Sequence, residues 1–130
     1  MKKIRILLIE DEPLISVFLA ELLEEMGHDV CLIETTEVRA VAAAARLKPD
    51  LLIVDVHLRE GSGLAAVSTI LETGFIPHIF TTGDRTINGE LTTGAVVLQK
   101  PFLDAALINA IAAALAAGAK ARASAEAIRV

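Results

Sequence analysis

Apolar residues fall along this chain in short unbroken runs. Residues 4–9 are apolar except for Arg5, and 51–54 are wholly apolar. Residues 76–81 and 95–98 form weaker runs. Continuous rather than alternating apolarity marks a strand buried on both faces. A further strand at 29–33 is suggested, though its pattern is ambiguous. Between the runs the period changes. Ile15, Phe18, Leu19, Leu22 and Met26 recur at three and four, which predicts the core face of a helix. Pro13 stands near its start, where a missing N–H costs nothing, and Gly27 stands at its end. Val38, Val41, Ala42 and Ala45 predict a second helix, stopped by Pro49. Leu64, Val67, Ile70 and Leu71 predict a third, ended by Gly74, and Leu107, Ile108, Ile111 and Leu115 a last one. The stretch from Gly83 to Gly94 holds Asn88, Gly89 and Thr92-Thr93, so any fourth helix there is short or irregular.

Strands alternating with helices predict an α/β fold, a parallel sheet covered on both faces, with right-handed crossovers. The 130 residues suit one domain, expected over 1–117, with 118–130 as an extension of the last helix or a frayed tail. The chain is 54% hydrophobic but has four Phe, no Trp and no Tyr, so the core must be chiefly aliphatic. A net charge of −5 argues against a nucleic-acid surface. The one cysteine, Cys31, suits a reducing compartment and reads as a small buried hydrophobe. The apolar run after Met1 is too short for a signal peptide or a membrane span, and the Ala-rich end reads as a soluble helix. A cytoplasmic location is expected.

In open parallel sheets, functional groups gather at the carboxyl ends of the strands. Here the first strand ends in Glu10-Asp11-Glu12, the third in Asp55, the fourth in Thr81-Thr82-Gly83 and the fifth in Gln99-Lys100-Pro101. If the first and third strands are neighbours, Glu10, Asp11 and Asp55 converge. Three converging carboxylates repel one another unless a cation neutralises them. Mg²⁺ (or Mn²⁺), with its preference for hard oxygen ligands, is the natural candidate, and no Cys/His set has zinc spacing. Asp55 can be a nucleophile toward phosphorus, with the metal, Lys100 and the Thr82 hydroxyl sharing the charge. A Gly83 N–H could approach closely, because glycine has no side chain. Each residue also has a plain reading. Asp11 or Glu12 can cap a helix, Asp55 can form a turn, and Thr82-Gly83 and Lys100-Pro101 can be ordinary strand exits. Their joint placement at four strand ends is what points to chemistry.

These motifs make the chain resemble the receiver domain of bacterial two-component response regulators. The resemblance spans about Lys3 to Ala116. It rests on Leu8-Ile9-Glu10-Asp11-Glu12, on Asp55-Val56-His57-Leu58-Arg59-Glu60-Gly61-Ser62-Gly63, on Thr82-Gly83 and on Lys100-Pro101-Phe102. It implies a flavodoxin-like three-layer sandwich with a five-stranded parallel sheet of order 2-1-3-4-5. It also implies that Asp55 is the phosphoacceptor, and that Glu10, Asp11, Asp55 and the His57 backbone carbonyl hold Mg²⁺. Thr82 and Lys100 would read the phosphorylated state. Gly63 fits the family's loop glycine, and Lys100-Pro101 would be a cis peptide. The implied partners are a histidine kinase or histidine phosphotransfer protein and a downstream protein. The implied state is a monomer or weak dimer, with no nucleic acid and no membrane.

Two departures fall in the switch region of Gly83, Val97 and Pro101. The family usually has Tyr or Phe where Val97 stands, three residues before Lys100. The interval from Thr82 to Lys100 is also short, at the expense of the fourth helix. Phe80-Thr81-Thr82-Gly83 resembles the Phe-Ala-Thr-Gly signature of stand-alone receivers from α-proteobacteria. With Val97 in place of the aromatic, switching is expected to order residues 83–94. Such a receiver would signal through protein–protein contacts or drain phosphoryl groups as a sink, without turning over external substrates. A pseudo-receiver that ignores phosphate is the alternative, favoured by Val97 and opposed by Asp55, Thr82 and Lys100. A phosphatase with an aspartyl nucleophile would need insertions that this length does not hold. A dinucleotide binder would need a glycine-rich loop after the first strand.

Overall fold

The computed structural model describes residues 2–129, so Met1 and Val130 lie outside it. Five strands form one parallel sheet: β1 (Arg5–Ile9), β2 (Asp29–Glu34), β3 (Leu51–Asp55), β4 (His78–Thr82) and β5 (Val96–Gln99). Their order is β2-β1-β3-β4-β5, as the resemblance implied. The ambiguous second strand is real and pairs in parallel with β1. The helices are α1 (Pro13–Glu25), α2 (Glu37–Leu47), α3 (Gly63–Ile70), extended by a 3₁₀ turn over Leu71–Thr73, and α4 (Asp104–Arg129). Among the described residues no helix forms between Gly83 and Ala95, and the segment runs through bends and one turn.

The sheet separates two apolar layers. Ile6, Leu8, Leu51, Ile53, Ile79 and Leu98 face α1 and α4, where Leu19, Leu23, Leu107 and Ile111 meet them. Leu7, Ile9, Leu52, Val54 and Phe80 face α2 and α3, where Ala40, Ala44, Val67 and Ile70 meet them. Each central strand thus alternates between two cores, which is why its sequence reads as a continuous apolar run.

Three helix faces differ from expectation. On α1 the buried residues are Ser16, Leu19, Ala20 and Leu23, whereas Phe18 is 70% exposed. Nearly every residue of this helix up to Leu23 is apolar, so the pattern does not fix a unique phase. On α2 the buried face is Ala40, Ala43 and Ala44, while Val38, Ala42 and Ala45 are exposed. Small side chains let the helix lie close on the sheet, and the larger valine turns outward. On α4, Leu107, Ala110, Ile111 and Ala114 are buried and Ile108 is exposed. By length and composition α4 could cross a bilayer, but these side chains pack its first part on the sheet. It runs on unbroken past Gly118, whose missing Cβ allows close passage over Pro77.

Candidate functional site

The register of the sheet brings the acidic residues together. Ile9 pairs with Val54, so the residues that follow, Glu10 and Asp55, leave adjacent strands side by side. One carboxylate oxygen from each of Glu10, Asp11 and Asp55 lies within 4.8 Å of the others. Glu10 and Asp55 are buried. Lys100 arrives from β5, its backbone N–H donating to the Thr82 carbonyl at 2.7 Å. Its ammonium donates to Glu10 Oε1 at 3.2 Å and to Asp55 Oδ2 at 3.0 Å. The Lys100–Pro101 peptide is cis.

Burial, and then the neighbouring Asp55 carboxylate, push Glu10 up to about 7. Burial alone would lower Lys100, but its contacts with Asp55 and Glu10 outweigh burial and raise it. Glu10 and Asp55 share the one Lys100 ammonium, and a third carboxylate, Asp11, stands beside them. The donor set is all hard oxygen, which fits Mg²⁺ or Mn²⁺.

The loop between β3 and α3 shapes the surroundings of Asp55. The His57 N–H donates to Asp55 Oδ1 at 3.0 Å. The Gly63 N–H returns to the Val56 carbonyl at 3.0 Å, and a Cβ at Gly63 would collide with the Asp55 carbonyl oxygen. Glycine is therefore demanded there by close approach, not by turn geometry. The Arg59 N–H donates to Asp11 Oδ2 at 2.6 Å, and its guanidinium lies 3.9 Å from the same oxygen. The Thr82 hydroxyl oxygen accepts from the Asp84 N–H at 3.1 Å, beside the end of β3. Across the mouth, His57 Nε2 meets Asp84 Oδ2 at 2.7 Å, and both side chains are exposed.

Glu10, Asp11, Asp55 and Lys100 thus converge directly, and Thr82 stands at the adjoining strand end. Gly83 is exposed, and a Cβ there would meet nothing within 4 Å, so the protein itself does not require glycine for close approach. Val97 is 43% exposed on β5. The tie from Arg59 to Asp11 and the pairing of His57 with Asp84 are not visible in the sequence. Both are contacts between loops far apart in sequence, and no local pattern announces them.

A family model described as the response regulator receiver domain matches residues 6–112. The chain belongs to the response regulator receiver family. It is 41% identical over 114 residues to the phyllosphere-induced regulator PhyR of Methylorubrum extorquens, across 85% of this chain and 43% of that protein. The receiver domain of Erythrobacter litoralis PhyR matches its fold with a TM-score of 0.74 at 35% identity, covering 88% of this chain and 92% of that one. The anti-anti-sigma factor PhyR of Bartonella quintana matches with a TM-score of 0.79 at 32% identity, covering 96% and 52%. The chain spans about half the length of the curated relatives it matches. As a receiver, it places the acidic cluster and Lys100 at the carboxyl edge of the sheet, where this fold keeps its ligand sites.

Proposed function

We propose that this receiver accepts a phosphoryl group on Asp55 from a phosphohistidine of a histidine kinase or histidine phosphotransfer protein in the cytoplasm. The carrying observation is the Lys100 ammonium within 3.2 Å of both Glu10 and Asp55, next to Asp11. Glu10, Asp11, Asp55 and the His57 carbonyl would hold Mg²⁺, which supplies compensating charge for the phosphoryl oxygens. An Asp55 carboxylate oxygen forms a bond to phosphorus as the phosphorus–nitrogen bond of the donor breaks. The leaving imidazole keeps the electron pair and takes up a proton. Lys100, held beside Asp55, then pairs with a phosphoryl oxygen, and the Thr82 hydroxyl donates to another.

A docking surface adjoins the site. Leu14, Val17 and Phe18 of α1 and Leu103 before α4 are large apolar side chains left exposed. A cavity of about 160 Å³ is lined by Phe18 and Leu103 of this patch together with Phe102 and Lys100. An apolar patch beside a buried nucleophile suits a protein donor better than a small ester. Output is proposed through binding another protein or through draining phosphoryl groups from the donor. The Bartonella quintana relative, described as an anti-anti-sigma factor, favours the first of these. The test is incubation with a phosphorylated histidine phosphotransfer protein, with Mg²⁺ or with chelator. Transfer of label to this chain only with Mg²⁺ supports the reading. Retention of all label on a donor that serves another receiver would leave the protein a pseudo-receiver.

A further inference from the structure

The near limb of the β3–α3 loop is fixed from within, but its far limb is held by a different helix. Glu37, the first residue of α2, donates its N–H to the Glu60 carbonyl at 3.1 Å. Its carboxylate Oε1 accepts the Ser62 N–H at 2.9 Å. Thr36 and Glu60 form an isolated parallel bridge beside it. Gly61, at φ +95°, lies flat against the Glu37 side chain, and a Cβ there would overlap it.

From Ser62 the connection runs straight to the acceptor. Ser62 bridges to His57 in antiparallel fashion, and the His57 N–H holds Asp55 Oδ1 at 3.0 Å. Ser62 also starts α3, its hydroxyl accepting the Ala65 N–H. One carboxylate therefore lies at the start of α2 and also receives the amide that opens α3. Both are positions where negative charge is favoured. Glu37 touches neither the acidic cluster nor Lys100 in any hydrogen bond or ion pair of the described residues.

We propose that Glu37 is a positioning residue of the phosphoacceptor site. Through Ser62 and His57 it holds the loop so that the His57 carbonyl and Asp55 keep one geometry toward a divalent cation. This rests on the receiver reading above. Groups that hydrogen-bond directly to a metal ligand tune its affinity by roughly 10- to 100-fold, and Glu37, one residue further out, is expected at the low end of that range.

The experiment compares wild type, Glu37→Gln and Glu37→Ala. Gln keeps an oxygen that can accept from Ser62, and Ala keeps none. Mn²⁺ affinity is measured by paramagnetic resonance. Amide exchange at Ser62 and thermal melting are measured on the metal-free proteins. The proposal expects Glu37→Ala to bind Mn²⁺ roughly 10-fold more weakly, with faster Ser62 exchange in a cooperatively melting fold. Glu37→Gln is expected to stay within about twofold of wild type, since it keeps the interaction that supplies the effect. Wild-type affinity in Glu37→Ala, or equal losses in Ala and Gln, overturns the positioning role. If Glu37→Ala melts non-cooperatively, Glu37→Asp serves as the second variant: it keeps a carboxylate at the start of α2 but is one methylene shorter and withdraws from the Ser62 N–H. The proposal expects it to bind Mn²⁺ roughly 10-fold more weakly than wild type, and wild-type affinity in a cooperatively melting Glu37→Asp overturns it. If wild type itself takes no Mn²⁺, the receiver-site reading fails and the proposal falls with it.

Discussion

At the scale of single residues, the site is a problem of crowding solved by position. Gly63 shows this most simply, because any side chain there meets the Asp55 backbone carbonyl. Gly63→Ala is expected to destabilise the fold by roughly 2 kcal/mol or more, since backbone must shift. Urea unfolding at equilibrium measures it, and a loss under about 0.5 kcal/mol, the range of a neutral surface change, would contradict the account. The acidic residues and Lys100 were legible in the sequence because each directly follows an apolar run, and a strand end fixes where its next residue lies. Glu37 was not legible. It looks like any acidic residue opening a helix, and only the tertiary approach of Gly61 shows its second partner.

At the scale of elements, the strands were easier to read than the faces of the helices. A strand buried on both sides needs only a run of apolar residues, and β1 and β3 have little else. A helix face needs contrast, which α1 lacks through excess apolarity and α2 through its alanines. The consequence is the exposed Phe18. Phe18→Ser is expected to leave stability within about 0.5 kcal/mol and labelling by a small phosphodonor unchanged, while slowing transfer from a histidine phosphotransfer protein. Equal transfer rates would remove α1 from the docking surface. The last strand provides a second check. Leu98 points into the layer under α4, whereas Val97 is largely left to solvent. Leu98→Ala is expected to cost roughly 2–4 kcal/mol and Val97→Ala less than about 1 kcal/mol, both by denaturant unfolding. The reverse order would mean that β5 is shifted by one residue. The segment after Gly83 is irregular because its glycines and threonines offer no apolar repeat to hold a helix on the sheet.

At the scale of the whole molecule, that irregular segment is pinned at several points. Asp84 reaches His57, Gly89 lies on Leu64, and the Thr92 hydroxyl meets His78 Nε2 at the foot of β4. His78 is fully buried, and its other ring nitrogen bonds to the Ile76 carbonyl at 2.8 Å. Burial lowers His78 below its ordinary value of 6.5. Its unfolded form therefore binds a proton first, so stability from this residue is lost as pH falls below about 6.5. Glu10 acts in the opposite sense. Raised from 4.5 to about 7, its contribution is present at low pH and is lost as pH rises through that window. His78→Leu is expected to be less stable throughout, but to lose less stability between pH 7 and pH 5 than wild type does. Urea unfolding at both pH values reads this, and an identical loss in the two proteins would contradict the buried, neutral imidazole.

The central claim is that the carboxylates at the ends of β1 and β3 form a metal-assisted phosphoacceptor with Asp55 as its nucleophile. The measurement that tests it most directly is intact mass after incubation with a small phosphodonor, with and without Mg²⁺, for wild type and Asp55→Ala. Wild type is expected to gain one phosphoryl adduct that requires Mg²⁺, and Asp55→Ala none. An adduct that persists in Asp55→Ala, or no adduct on wild type under conditions that label another receiver, would contradict it.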